Sequence, residues 1–239
     1  MEGFSYNNIF ETKGIEYLII IAFLFLIIPF WLLINRKAGI KGKARNVIGV
    51  LSSGMLRIPQ GVFYSRFHTW AHLEISGIAK VGIDDFLQHI TGEVKFCNLK
   101  PPGSFISKGE LLADIDQNGK FLQIYSPISG EVMNTNPMLF EEPGILNEDP
   151  FGKGWIYRIK PTKWIAETSS CFMAEEAVSW SKKELERFKD FILQSAMKYS
   201  PETSMVMLQD GGELYDKPLN DLPNEVWQDF QKTFLNSDI

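Results

Sequence analysis

The chain has 239 residues, of which 22% are charged and 45% hydrophobic, a composition typical of one or two folded domains with an ordinary core. Its formal net charge of -5 argues against a general nucleic-acid binder, because binding to phosphates requires a concentrated basic face. The two cysteines form no CxxC pair and the three histidines are scattered, so neither a disulfide framework nor a metal site is indicated. We therefore expect no nucleic acid and no metal among the ligands.

An apolar segment near the N-terminus is the first predicted element. Residues 17–34 read YLIIIAFLFLIIPFWLLI without a charge, a length that crosses a bilayer with its flanks. Basic residues cluster between positions 36 and 45, whereas only Lys13 precedes the segment, and this asymmetry places the C-terminal side in the cytoplasm. The sequence thus predicts a single-pass membrane protein with its N-terminus outside and the lipid bilayer as a partner. The predicted divisions are 1–16 outside, 17–35 transmembrane and 36–57 a basic juxtamembrane linker.

The central region, residues 58–161, is predicted to consist of short β-strands. The strand-like runs are FHTWAHLEI, AKVGI, EVKFCNL, LLADID, KFLQIYS, GEVMNTN and WIYRIKP. Asp84 to Ile90 interrupts them with helical spacing of its apolar residues. Asn118-Gly119 predicts a two-residue hairpin turn, because a type I′ turn requires positive φ at both central positions. A small sandwich or barrel is therefore expected.

A mainly helical region is predicted over residues 162–239. The run AEEAVSWSKKELERFKDFILQSAMKYS keeps apolar residues at the helical period, and Pro201 ends it. MVMLQ is predicted to be a strand, DGGE a turn and NEVWQDFQKTFL a closing helix with Asn224 as its N-cap. The aromatic side of this last helix is expected to dock on the core or on a partner.

The order of motifs in the central region resembles the glycine cleavage system H protein family, lipoyl-bearing relatives of the lipoyl and biotinyl domains. The resemblance is carried by IPQGVFYSRFHTW, VGIDDFLQHITGEVKFCNL, PGSFISKGE, IYSPISGEV and ILNEDPFGKGWIYRIKP. It implies a mainly β fold, a flattened sandwich of two antiparallel sheets with the lipoyl lysine on an exposed hairpin. In this chain a transmembrane helix is predicted to precede the sandwich and a helical extension to follow it. The family's carriers need no catalytic group of their own, so no enzyme activity is expected.

The hairpin departs from the family at its tip. The family reads ESVKA there, and counting back from Pro127 without gaps places its lysine at Gly119. Lys120 is the next residue, but it is predicted to begin the returning strand opposite Gln117, with its side chain on the other face. We therefore expect no cofactor on this chain, the alternative being lipoate on Lys120.

Two functions follow from these features. The first is a membrane-anchored, non-lipoylated H-protein-like subunit that binds or scaffolds protein partners in a membrane-associated complex, with a redox complex as one setting. The alternative is a lipoyl carrier that uses Lys120 to shuttle an acyl, aminomethyl or redox group, as in the glycine cleavage system. An enzyme ranks below both, because Asp114, Asp116 and Glu131 have no predicted cleft and are expected to be solvated.

Overall fold

The computed structural model describes residues 9–35, 50–97, 99–199 and 214–236. The predicted strand MVMLQ, the predicted turn DGGE and most of the predicted basic linker lie outside these residues. Two units are distinguished along the chain, and the second begins at Ile48.

In the first unit the described residues form helix α1 (Ile9–Asn35), which has Pro29 inside it. Among the described residues, no helix is long and apolar enough to cross a membrane. The predicted single-pass membrane location is therefore wrong, and the transmembrane helix predicted over 17–35 is not supported.

The second unit is built mainly from short antiparallel strands. Its strands are β1 (Val50–Leu51), β2 (Phe63–Tyr64), β3 (Thr69–Leu73), β4 (Ala79–Ile83), β5 (Lys95–Cys97), β6 (Phe105–Ile106), β7 (Leu111–Gln117), β8 (Lys120–Tyr125), β9 (Gly130–Thr135), β10 (Tyr157–Pro161) and β11 (Leu214–Tyr215). Its helices are α2 (Asp85–Thr91), α3 (Met138–Glu141), α4 (Ile145–Glu148), α5 (Trp164–Thr168), α6 (Ala174–Tyr199) and α7 (Asn224–Phe230). A π-helical turn, Gln231–Leu235, continues α7. Every strand-like run predicted between residues 58 and 161 coincides with or overlaps one of these strands, so the mainly β prediction is confirmed.

Two larger sheets enclose the core. One has the strand order β2-β3-β4-β10-β9-β6 and the other the order β5-β7-β8, while β1 and β11 form a separate pair. Both larger sheets bury alternate residues against each other because successive side chains of a strand point to opposite faces. The shared core includes Val81, Ile83, Ile106, Leu112, Ile115, Leu122, Ile124, Val132 and Ile159.

The C-terminal elements pack on this same core. Leu185, Phe188 and Ile192 of α6 are buried in it, as are Trp227 and Phe230 of α7. The aromatic side of the last helix therefore contacts the chain's own core. The sequence had left open whether this side docks on the core or on a partner. The predicted N-cap is wrong, since Asn224 is the first helical residue and its predecessor provides no side-chain cap.

Candidate functional site

The tip of the β7–β8 hairpin is the position where the H-protein resemblance implies an attachment lysine. Asn118 and Gly119 have φ angles of 52° and 85°, as a type I′ turn requires, and Gln117 pairs with Lys120. The Asp116 carboxylate accepts a hydrogen bond of 2.8 Å from the Gly119 N–H. A Cβ atom on Gly119 would meet no other atom within 4 Å, so this tip points into open space. The predicted turn and its register are confirmed.

Lys120 does not point into that space. Its side chain lies on the same side of β8 as the buried Leu122, and its ammonium donates hydrogen bonds of 2.7 Å to the backbone oxygens of both Asn220 and Leu222. The same ammonium lies 5.7 Å from the centre of the Trp227 ring, within the range of a cation–π contact. Two of the three ammonium donors are thus used within the chain.

Further side-chain contacts fix the C-terminal segment to the hairpin. Gln117 donates to the Thr91 carbonyl over 2.5 Å and to the Asn220 side chain. The Gln231 side chain accepts a bond of 2.7 Å from the Gln123 N–H and donates one of 3.3 Å to the Gln123 oxygen. Because β8 is a terminal strand of its sheet, Gln231 occupies backbone groups that a further strand would otherwise bind.

A charged cluster anchors the start of the same segment. His89 Nδ1 lies 2.7 Å from Asp216 Oδ1, and His89 Nε2 lies 3.4 Å from Asp85 Oδ2. Burial lowers the pKa of His89, but the hydrogen bonds with Asp216 and Asp85 outweigh it and raise that pKa to about 9. Burial likewise raises the pKa of Asp85, and the hydrogen bonds from His89 and Arg57 still hold it below its ordinary value. His89 is therefore an imidazolium at neutral pH and ties α2 to the C-terminal segment.

The carboxylates weighed as catalytic candidates are not brought together. Asp114 and Asp116 lie on β7 of the three-stranded sheet, whereas Glu131 lies on β9 of the six-stranded sheet. Among the residues that the structure describes, no three histidine, cysteine or acidic side chains are grouped so that they could hold a metal ion.

One buried histidine does pair with a carboxylate. His68 Nδ1 lies 2.8 Å from Asp84 Oδ2, and the His68 ring stacks between Phe86 and Trp180 at centroid distances of 4.5 and 5.2 Å. Asp84 also accepts a bond of 2.8 Å from the Leu87 N–H, which caps α2. Because the His68 side chain is fully buried, a substrate has no access to it, and this pair joins structural elements.

The largest opening beside the hairpin tip is a polar groove of about 520 Å³. Its lining residues are Glu93, Val94, Lys95, Gln117, Asn118, Pro143, Gly144, Lys217 and Asn220. Among the described residues that line this groove there is no serine, cysteine or histidine.

Comparison with known proteins assigns the fold to a family. The family model for the glycine cleavage H-protein matches residues 62–184, which is more than half of the chain. The chain belongs to the glycine cleavage H-protein family. The matched span contains β3 to β10 and ends within α6, so it covers the sandwich and the carrier hairpin.

Two relatives, from Rubrobacter xylanophilus and Pyrococcus abyssi, agree with this assignment over most of their own length. A glycine cleavage system H protein of Rubrobacter xylanophilus is 42% identical over 106 residues, covering 44% of this chain and 83% of the relative. A probable glycine cleavage system H protein of Pyrococcus abyssi is 32% identical over 133 residues, covering 56% of this chain and 98% of the relative. The solved glycine cleavage system H protein of Mycobacterium marinum is 26% identical, with a TM-score of 0.41 and coverage of 44% of this chain and 87% of that one.

The sequence did not predict which residues contact Lys120. Asn220, Leu222 and Trp227 follow the end of the family match at residue 184. They lie 100 or more residues from Lys120 along the chain, as the bonds to Asn220 and Leu222 show. In the sequence, the apolar side of the closing helix indicated that this segment packs against another surface. It did not indicate that this surface lies beside Lys120.

Proposed function

We propose that this protein is a non-catalytic, H-protein-like subunit that binds partner proteins and carries no lipoyl group on Lys120. The observation that carries this proposal is the ammonium of Lys120, which is bound to the Asn220 and Leu222 carbonyl oxygens. Lipoylation would turn that ammonium into a neutral amide with a single N–H, so one of the two carbonyls would lose its donor. An arm on Lys120 would also start beneath the C-terminal segment instead of at the open tip.

Membership in the family supports the binding part of this proposal. The relatives are named as components of a glycine cleavage system, and a component that contributes no catalytic group acts through the proteins that dock on it. The sandwich that the family shares is complete in this chain, from β3 to β10. The departure that bears on lipoylation lies at the hairpin tip, where Gly119 stands at the position at which the resemblance places the family's lysine.

A lipoyl carrier that uses Lys120 is the second candidate, and the family relationship favours it directly. Lys120 lies one residue from the family position and on the same hairpin, so the chain keeps an amine close to the tip. Its use would require the Asn220 and Leu222 carbonyls to release that amine. The two candidates therefore differ in one covalent group and in the exposure of one side chain.

A test of the docking function compares the wild-type chain with Lys120→Arg, which keeps the positive charge and cannot be lipoylated. Each full-length chain is tagged, isolated from its source cells under mild conditions, and its bound proteins are quantified by mass spectrometry. We expect the same partners at the same stoichiometric ratios on both chains. A wild-type chain without stoichiometric partners, or partners that are lost with Lys120→Arg, would overturn the proposal.

A further inference from the structure

The connection between β11 and α7 closes over the amine of Lys120. We call residues 216–222 of this connection the arch. The arch contains both backbone oxygens that accept hydrogen bonds from Lys120, those of Asn220 and Leu222. It also lies beyond residue 184, where the match to the family model ends. The cover on this amine is therefore outside the part of the chain that the family model describes.

One end of the arch is attached to the C-terminus of α2. The Lys217 N–H donates a bond of 2.6 Å to the His89 carbonyl, and the Leu219 N–H donates one of 3.1 Å to the Ile90 carbonyl. The last carbonyls of a helix have no partner within the helix, so the arch supplies donors that α2 itself lacks. The Asp216 carboxylate adds its contact of 2.7 Å with the His89 ring. We call these three contacts the α2 anchor.

The other end of the arch is attached to the hairpin. Asn220 accepts hydrogen bonds from Lys120 at its backbone oxygen and from Gln117 at its side chain. Leu222 accepts the second bond from Lys120. Because these acceptors follow the α2 anchor directly along the chain, loss of that anchor frees the oxygens that hold the amine to move.

Apolar side chains keep the arch closed in the native state. Leu219 and Leu222 are buried in the core, and Trp227 Nε1 donates a bond of 2.8 Å to the Leu219 carbonyl. One flank of the arch is open, since Lys217 and Asn220 line the polar groove of about 520 Å³ beside the hairpin tip. The arch therefore has space beside it, but opening it exposes two leucines, so the open form is a minor state reached by local unfolding.

Acylation of Lys120 requires that minor state. In such a reaction the nitrogen of the neutral amine bonds to the carbonyl carbon of an activated acyl donor, the donor's leaving group departs with the bonding electron pair, and an amine proton passes to solvent. While the arch is closed, two hydrogens of this nitrogen are bound to arch oxygens and the Trp227 ring lies 5.7 Å away. The approach of an acyl donor to the nitrogen is therefore restricted.

We propose that the arch is an autoinhibitory cover, which withholds the Lys120 amine from acylation and is held closed through the α2 anchor. This inference rests on the proposed function, in which Lys120 carries no lipoyl group, and it names the element that keeps the amine unmodified. The controlling contact joins His89 to Asp216, whereas the amine itself is bound by Asn220 and Leu222.

The test measures acetylation of the full-length chain at neutral pH by sulfo-N-hydroxysuccinimidyl acetate, a small reagent that does not have to recognise the hairpin. Peptide mass spectrometry follows the rate at Lys120, with Lys183, an exposed lysine of α6, as the internal reference. We expect Lys120 of the wild-type chain to react at least about tenfold more slowly than Lys183. In Asp216→Ala, which removes the carboxylate from the α2 anchor, we expect the rate at Lys120 to rise at least about fivefold and the rate at Lys183 to stay the same.

Two further variants separate the anchor from the arch as a whole. Asp221→Ala is the matched control, because it removes an exposed carboxylate from the same arch and should leave both rates unchanged. Lys217→Pro removes the N–H that binds the His89 carbonyl, and proline cannot adopt the φ of 62° found at Lys217, so we expect a rise at Lys120 here as well. Hydrogen exchange at the amides of β7 checks that the core of each variant stays folded.

Each outcome decides a separate point. Equal rates at Lys120 in the wild-type chain and Asp216→Ala, or an equal rise in Asp221→Ala, would overturn the inference and leave the proposed function standing. A wild-type Lys120 that reacts as fast as Lys183 would also overturn the inference, because the arch would then withhold nothing. A lipoyl group found on Lys120 of the native protein would instead overturn the proposed function itself.

Discussion

The ammonium of Lys120 lies 2.7 Å from the backbone oxygen of Leu222, a residue 102 positions further along the chain. This contact closes the C-terminal segment over one side of the carrier hairpin. It gives the amine a structural partner in the place where a carrier would require a free nucleophile for modification.

Replacing the Lys120 ammonium will test its structural role. Lys120→Met keeps the length of the side chain but removes the donors to the Asn220 and Leu222 oxygens. We expect the free energy of unfolding to fall by about 1–2 kcal/mol, since two partly buried carbonyls lose their donors. Urea unfolding followed by tryptophan fluorescence measures this change, with Lys120→Arg as the control that retains donors and charge. An unfolding midpoint that does not move in Lys120→Met would show that the contact adds no stability.

Alkaline pH should weaken the attachment of the C-terminal segment. The pKa of His89 is raised from an ordinary value of 6.5 to about 9 by its hydrogen bonds with Asp216 and Asp85, against the effect of burial. Because the folded protein binds this proton more tightly than the unfolded chain, the stabilisation is fully present below about pH 6.5 and is lost as the pH rises through about 9.

The free energy of unfolding, measured between pH 6 and pH 10, should therefore decline as the pH rises. We expect this decline to be smaller in Asp216→Asn than in the wild-type chain. The asparagine oxygen still accepts a hydrogen bond, but the negative charge that favours the imidazolium is gone. If the free energy of unfolding declines as steeply in Asp216→Asn as in the wild-type chain, the pH dependence arises from other groups.

A lysine at position 119 should restore a modifiable tip. A side chain on Gly119 meets nothing within 4 Å, so the cost of Gly119→Lys comes from its φ of 85° and should be about 1–2 kcal/mol. We expect a lipoate–protein ligase to modify Gly119→Lys in vitro while leaving the wild-type chain unmodified, as read by intact mass. Equal modification of both chains would mean that Lys120 is accessible to the ligase and that lipoylation does not require a lysine at position 119.

Gly130 should tolerate no larger residue. A Cβ atom there would lie 2.3 Å from the Lys160 oxygen and 2.6 Å from a methyl carbon of Ile159, both on the neighbouring strand β10. We expect Gly130→Ala to lower the free energy of unfolding by at least about 2 kcal/mol, because the backbone of β10 must move. Gly144→Ala is the control, since its φ is -63° and a Cβ atom there meets nothing within 4 Å. Similar unfolding midpoints for the two variants would contradict the close approach at Gly130.

The hairpin was predictable because its determinants are local. Asn118 and Gly119 are residues that accept positive φ, and the alternating strands on either side fix the pairing of Gln117 with Lys120. Helix α2 was predictable for the same reason, since Asp84 caps it through a side chain three residues from the amide that it binds.

The position of the C-terminal segment could not be predicted in the same way. Its contacts with Lys120 join residues about 100 positions apart, and periodicity shows only that α7 has an apolar side. The charged pair of His89 with Asp216 is equally nonlocal, with 127 positions between the two residues. The N-cap predicted at Asn224 was wrong, since Asn224 is itself the first helical residue. A residue type that favours capping shows that a helix begins nearby, but it does not fix the first residue.

The composition of residues 17–34 led to the wrong prediction of a membrane location. An uncharged run of that length favours a transmembrane segment on sequence alone. In the part of the chain that the structure describes, no helix meets the length and apolarity of a span.

We propose that Lys120 serves as a structural contact and not as an attachment site. The most direct measurement is the mass of the protein isolated from its source cells, together with the mass of the peptide that contains Lys120. We predict an unmodified chain with a free amine at Lys120. A lipoyl-sized increment on Lys120 in the native protein would contradict this claim and establish the carrier alternative.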